Sequence, residues 1–346
     1  MQQATSALQS APMAEIPQGA QIALQMSAEP SAEDLQFAQQ LGVQYVVLWT
    51  DGAHAGYDYY ASRRAIFEQA GLMIYGFGNW DVHNQDAIVL NLAGRDAKIE
   101  QYKQHLRALG RAGIPYTTYA HMANGIWSTA TEQTRGGAPA RGFDLAQAEI
   151  GHWRDRRYFM PLSHGRVYTE DEIWENFSYF IGQVAPVAEE AGVRIGIHPD
   201  DPPGVDLAGV PRCIFGNFAG YQRALEIADS PNVGVCFCVG CWLEGGALMG
   251  NGTLESIRAF AAQGKLFKVH FRNVDAPLPH FVETFVDDGY MDMYKVMREL
   301  RVVGFNGVAI ADHIPTMAGG PRVSTAYTIG YMKALLRRAN EEAAQQ

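Results

Sequence analysis

Four side chains able to ligate a transition metal sit at or near the ends of four successive apolar runs in the second half of the chain. His198 ends VRIGIH, Cys238 ends NVGVCFC, His270 lies near the end of KLFKVHFR, and Asp312 lies near the end of NGVAIADH, with His313 directly after it. Imidazole, thiolate and carboxylate are all good donors to a divalent transition metal. Taken singly, each has an ordinary explanation. A histidine at a strand end hydrogen-bonds, a buried cysteine packs as a small hydrophobe, and an aspartate caps the next helix. The ordinary account needs all four coincidences at equivalent places. One metal held by His198, Cys238, His270 and Asp312 is therefore the better reading, provided the four runs lie side by side.

Other polar residues crowd the same run ends. HPDDPP (198–203) stiffens two adjacent carboxylates between prolines. Asp200 and Asp201 could bind substrate hydroxyls, cap a helix or orient His198, and nothing in the residues chooses among these. Arg212 and Arg272 could fork onto a substrate carboxylate, although a salt bridge to a nearby acid suits any one arginine better. Asn273, beside Arg272, joins these four as a substrate-binding candidate. Cys238 and Cys241 form a CxxC with no second ligand pair, so Cys241 reads as packing. Cys236 shares a strand face with Cys238 one layer deeper and reads the same way.

The elements that must carry these groups alternate along the chain. Strand-like runs at 21–26, 44–49, 72–78 and 114–120 precede those at 193–198, 232–238, 265–272 and 306–313. Amphipathic helical stretches separate them, with start signals such as Ser31 and the Thr169/Glu172 capping box and stop signals such as Gly42. Eight strand–helix units with mostly apolar strands imply parallel pairing, and the count favours a closed (β/α)8 barrel, an α/β fold. No GxGxxG follows the first strands, which removes the main reason to expect a dinucleotide fold. In such a barrel the chemistry lies at the carboxyl ends of the strands, where the four candidate ligands stand.

The 346 residues are 47% apolar and 18% charged, enough to bury one large core. They divide into a flexible tail over 1–19 and a single barrel domain over 20–346, with an inserted loop region after strand four, about 121–168. Trp127, Arg135, Arg141 and Trp153 of that insertion offer stacking and anion contacts to a site it would border. The net charge of −10 and the lack of a basic run argue against nucleic acid. Neither a secretory signal nor a membrane-length apolar run is present, so a cytoplasmic protein is expected, without a membrane partner and as a homo-oligomer, a dimer.

HPDDPP, GVPRCIFG (209–216), FCVG (237–240), KVHFRNV (268–274), DDGYMDMYKVM (287–297), ADH (311–313) and AYTIGYMKALL (326–336) together resemble the mannonate dehydratase family of xylose-isomerase-like barrels. The likeness runs from about Gly192 to Arg338, and YKQHLRALGRAGI in the third helix also fits. It implies dehydration of D-mannonate to 2-keto-3-deoxy-D-gluconate with a divalent metal, manganese foremost and iron next. By motif it implies His198, Cys238, His270 and Asp312 as ligands and His313 and Tyr327 as the acid/base pair. Near a divalent cation the Tyr327 phenol is expected to have a lowered pKa. The first half of the chain matches loosely, and YAHMANGIWSTATEQTRGGAPARGFD replaces the family's usual segment after strand four.

Removing water from a 2,3-dihydroxy acid requires loss of a weakly acidic proton next to a carboxylate. A cation offsets the charge that builds there, a base takes the proton, and an acid protonates the departing hydroxyl. Residue types alone do not say which of His313 and Tyr327 is the base. Two other functions use much of the same equipment. A metal-dependent sugar isomerase or epimerase needs no leaving-group acid, and a sugar-acid binding protein needs neither His313 nor Tyr327.

Overall fold

The computed structural model describes residues 11–345, so the first ten residues of the expected tail lie outside the described part. Residues 11–19 are fastened to the barrel. The Ala11 and Ala14 amides donate to the carbonyls of Arg111 and Gly113, and Arg64 donates to the Pro12 carbonyl. Ile16 packs against the bottom of the barrel interior.

Numbering the barrel strands alone, β1 is Ala20–Ser27, β2 Tyr45–Thr50, β3 Met73–Asn79, β4 Tyr116–Tyr119, β5 Arg194–Ile197, β6 Val233–Cys238, β7 Leu266–Phe271 and β8 Gly307–Ala311. All eight expected strands form, with ends within two residues of the expected ones. They run parallel in the order β3-β2-β1-β8-β7-β6-β5-β4. Between β3 and β4 the barrel nearly closes, and glycine makes this possible. A Cβ on Gly76 would lie 2.5 Å from the Tyr116 ring and one on Gly196 would lie 2.2 Å from its hydroxyl. The Tyr116 ring therefore fills the space that two side chains would have taken.

Eight principal helices follow the strands: α1 Ala32–Leu41, α2 Tyr57–Gln69, α3 Arg95–Arg111, α4 Glu170–Ala191, α5 Phe218–Ala228, α6 Thr253–Ala262, α7 Met293–Val302 and α8 Pro321–Ala343. The expected Thr169/Glu172 capping box closes at α4, and at α1 the expected Ser31 cap proves to be a full box with Asp34. Each satisfies amides that an uncapped helix leaves unpaired. Among the described residues, no helix is long and apolar enough to cross a membrane.

The insertion after β4 is built of short antiparallel strands. Ile126–Trp127, Ile150–Trp153 and Arg156–Phe159 form one small sheet. Thr131–Thr134 and Ala138–Asp144 form a hairpin that continues into His280–Thr284 and Asn273–Val274, the loop after β7. Strand content in that loop was not expected from the sequence. Two loops from opposite parts of the barrel thus share one sheet above its carboxyl end.

Candidate metal centre and its surroundings

Alternation along a strand sends every second side chain inward. In the upper half of the barrel those positions are His198 just past β5, Cys238 on β6, His270 on β7 and Asp312 just past β8. Register agrees: Cys238 lies opposite His270, and His270 opposite Ile310, two residues before Asp312. The Cys238 thiol stands 3.7 Å from Asp312 Oδ2, and His270 Nδ1 stands 3.5 Å from the same oxygen. The rings of His198 and His270 are 4.9 Å apart between centroids.

Donor atoms of Cys238, His270 and Asp312 lie within 4.8 Å of one another, and so do those of His198, Cys238 and Cys241. The two triads share Cys238. His198 Nδ1 donates to the Pro199 carbonyl at 2.7 Å, which leaves Nε2 as the free donor atom. His270 Nδ1 is buried with no hydrogen-bond partner, an expensive arrangement unless something else occupies it. Two imidazoles, a thiol and a carboxylate around an orphaned nitrogen could hold a divalent transition metal. Cys236, one layer down, touches His270 Nε2 at 3.4 Å.

A buried charge network supports this layer. Arg272, 1% exposed, reaches Asp201, Glu244, Glu283 and Asp312 and touches the thiols of Cys238 and Cys241. Arg141, from the insertion, pairs with Asp201, Glu244 and Glu283. These pairings alter several expected roles. Arg272 is fully engaged by acids, the ordinary outcome for a lone arginine. Arg212 is buried and donates to the carbonyls of Pro202 and Gly125, so it ties the HPDDPP loop to the insertion. Asn273 is buried and donates to the Met291 carbonyl, which fixes the β7 loop. Asp201 is spent on Arg141 and Arg272. Burial opposes its ionisation, but the two arginines hold its carboxyl well below the usual range. Asp200 is buried beside Arg212, and burial raises its pKa to about 6. Burial likewise raises Glu244 to about 8, against the pull of Arg272.

The two acid/base candidates stand at different depths. His313 adopts a left-handed backbone, φ +44°, immediately after the last ligand candidate. The chain has left β8 there, so His313 is free of the strand alternation that would have sent it outward. Its Nδ1 donates to Glu283 at 2.7 Å and lies beside the Arg272 guanidinium, while its Nε2 faces Asp312 Oδ1 at 3.9 Å. Burial disfavours its charge, yet Asp312 and Glu283 raise its pKa to about 9. Tyr327, in the second turn of α8, donates its hydroxyl to Asp287 at 2.7 Å and accepts from Arg135 of the insertion at 3.4 Å. Its pKa is raised by burial and by the Asp287 carboxylate. Burial and the Asp287 carboxylate thus outweigh the Arg135 guanidinium at the phenol oxygen.

Sequence reading missed Glu244, Glu283 and His83. The two glutamates lie outside the strand ends, in a short helix after Cys238 and in the hairpin after β7, and only the fold brings them to Arg272. His83 lies in the loop after β3, whose strand end showed no ligand type. Of the insertion's residues, Trp127 is buried with its indole N–H on the Asn124 carbonyl. Arg135 and Arg141 reach the acids described above, and Trp153 packs against Trp80 and His83.

Known proteins resemble this chain in sequence and in fold. The family model for D-mannonate dehydratase matches residues 35–339. A mannonate dehydratase from Enterococcus faecalis is 33% identical over 273 residues, covering 71% of this chain and 74% of that protein. One from Oceanobacillus iheyensis is 31% identical over 273 residues, covering 72% and 74%. In fold, the crystal structure of mannonate dehydratase from Streptococcus suis serotype 2 superposes with a TM-score of 0.80 at 24% identity, over 94% of this chain and 95% of that one. A xylose isomerase domain protein from Planctomyces limnophilus superposes with a TM-score of 0.63 at 13% identity, over 94% and 100%. The match extends well into the first half of the chain, where the motifs alone were loose. The chain belongs to the mannonate dehydratase family.

Proposed function

We propose that this protein is a metal-dependent dehydratase of a sugar acid, converting D-mannonate to 2-keto-3-deoxy-D-gluconate and water. The observation that carries the reading is the convergence of His198, Cys238, His270 and Asp312 on one interior layer, with His313 at its edge. These four residues would hold a divalent cation, manganese first and iron second. When bound, it offsets the negative charge that builds on the substrate carboxylate as the α-proton leaves.

The remaining chemistry belongs to the chain. His313 presents Nε2 to the site while Glu283 fixes its Nδ1, which holds the ring in one orientation. Tyr327 carries a proton on its phenol oxygen and is kept protonated by burial and Asp287, which suits donation to the departing 3-hydroxyl. His313 would serve as the partner for the α-proton in its neutral form, which a cation on Asp312 would favour by offsetting the carboxylate that otherwise raises its pKa. Arg141 and Arg272 keep Asp201 and Glu283 ionised and in place. The insertion sheet roofs this end of the barrel and limits the entry of water.

The test is a screen of hexonates and pentonates with Mn2+ or Fe2+, detecting 2-keto-3-deoxy acids. D-Mannonate is expected to turn over and the metal-free protein to be inactive. Formation of a ketose or an epimer instead, with no 2-keto-3-deoxy product, overturns the reading.

A further inference from the structure

The loop after β3 places a histidine beside the proposed metal layer for which the chemistry above has no use. His83 is 6% exposed, and its environment holds it from every side. Its backbone N–H donates to the Asn79 carbonyl at 3.1 Å. Trp49 meets the ring edge-on at 5.0 Å, and Trp153 of the insertion lies 4.9 Å away at 31°. Trp80 stacks on Trp49 at 4.0 Å and meets Trp153 at 5.6 Å. Gly78 makes room for this arrangement, since a Cβ there would lie 2.4 Å from the Trp49 ring.

The tautomer follows from one contact. His83 Nδ1 lies 3.3 Å from the Thr118 carbonyl oxygen, which can only accept, so Nδ1 carries the proton. Nε2 is then a bare lone pair, and among the described residues it has no protein partner. An accessible acceptor with no protein donor is open to a hydrogen bond from a ligand. Burial, and next the nearby charge of His198, hold the His83 pKa down to about 3. The ring is therefore neutral across the working range, and its contacts with the Thr118 carbonyl and the Tyr119 ring set it at the end of β4, where the His198 amide donates to the Tyr119 carbonyl.

We propose that His83 is a substrate-binding residue whose Nε2 accepts a hydrogen bond from a hydroxyl on the distal part of the sugar acid, beyond the carbons that react, with Trp49 and Trp153 holding the ring in place. This rests on the sugar-acid reading above. It gives the insertion a part in specificity, because Trp153 buttresses the ring that selects the hydroxyl. It also explains why a neutral, aromatic acceptor serves here. A carboxylate would add negative charge next to a substrate that already carries one.

Two variants separate this role from packing. His83→Phe keeps an aromatic ring between the indoles and removes the acceptor, and His83→Gln restores an acceptor. Calorimetry on the manganese-loaded proteins, with metal content measured alongside, gives Kd for D-mannonate and its 4-, 5- and 6-deoxy analogues. H83F is expected to bind D-mannonate about 3- to 10-fold more weakly, the range of one neutral hydrogen bond, with H83Q recovering part of the loss and metal content unchanged. One deoxy analogue should bind the wild type as weakly as D-mannonate binds H83F, with no further loss in the variant. In turnover, KM should rise while kcat stays within about threefold. Unchanged Kd in H83F and H83Q overturns the assignment. So does an equal loss for every analogue, which marks a packing role. Wild-type binding of D-mannonate without dehydration refutes the dehydratase reading and leaves the His83 assignment to stand on Kd. If the wild type binds none of the four, both fall.

Discussion

The thiol of Cys238 touches Arg272, faces Asp312 and belongs to both donor triads. Burial favours a neutral thiol, yet the Cys241 thiol, Arg272 and the two histidines hold its pKa well below the usual value. A thiolate so stabilised is ready to bind a cation without first losing a proton. His270 offers the cleanest test of that centre, because its Nδ1 faces only Asp312, itself a candidate ligand. His270→Ala should lose the bound metal by elemental analysis after dialysis; full retention sinks the ligand set. His313→Asn and Tyr327→Phe should keep the metal while turnover falls by about 10²–10⁴-fold, the usual worth of a positioned acid or base. Near-wild-type turnover in both, with metal present, would rule out the proposed proton transfers. The four ligand candidates were legible in the sequence because strand ends and alternation are local features. The partners of Arg212 and Asn273 were not, because they are backbone carbonyls exposed only once distant loops meet.

At the scale of elements, the eight strands and the capped helices could be read in advance, since apolar periodicity and caps are written into neighbouring residues. The hairpin after β7 could not. His280–Thr284 has strand character, but its partner is Ala138–Asp144 in another loop, and nothing local announces that pairing. Arg141 is the pin of this arrangement. It stands on the shared sheet and reaches down to Asp201, Glu244 and Glu283, which are at most 3% exposed. Arg141→Met removes one of the two guanidiniums that balance three buried acids. Breaking a buried pair by deleting one partner costs about 3–5 kcal/mol. Urea unfolding at neutral pH should show a loss of that size, whereas a change below about 0.5 kcal/mol, typical of a surface side chain, would mean that the insertion is not anchored to the barrel through this residue.

Over the whole molecule, histidine burial predicts how stability responds to acid. His83, His105 and His121 are each nearly inaccessible, and burial lowers all three to about 3. His105 is the informative one, because it lies between α3 and the barrel, away from the metal layer. Its ring bridges the Tyr60 hydroxyl at 2.7 Å and the Thr117 hydroxyl at 3.1 Å. In the unfolded chain a histidine titrates near 6.5. Above that value neither state holds the extra proton, and the buried ring costs nothing. Between about 6.5 and about 3 the unfolded chain binds a proton that the folded one refuses, so stability falls as pH falls. Each such histidine adds a slope of about 1.4 kcal/mol per pH unit. His105→Gln keeps a side chain able to meet both hydroxyls and removes the titration. The variant should be the less stable of the two at pH 7, and the gap should close on acidification, by about 1.4 kcal/mol for each unit below pH 6. Urea midpoints for both proteins at pH 7, 6, 5 and 4.5 read the difference directly. Protonation of the carboxylates and metal ligands weakens both proteins alike and cancels in it. Parallel curves over that range would mean that His105 takes up its proton in the folded state, and that the interior beside α3 is more open than its packing indicates.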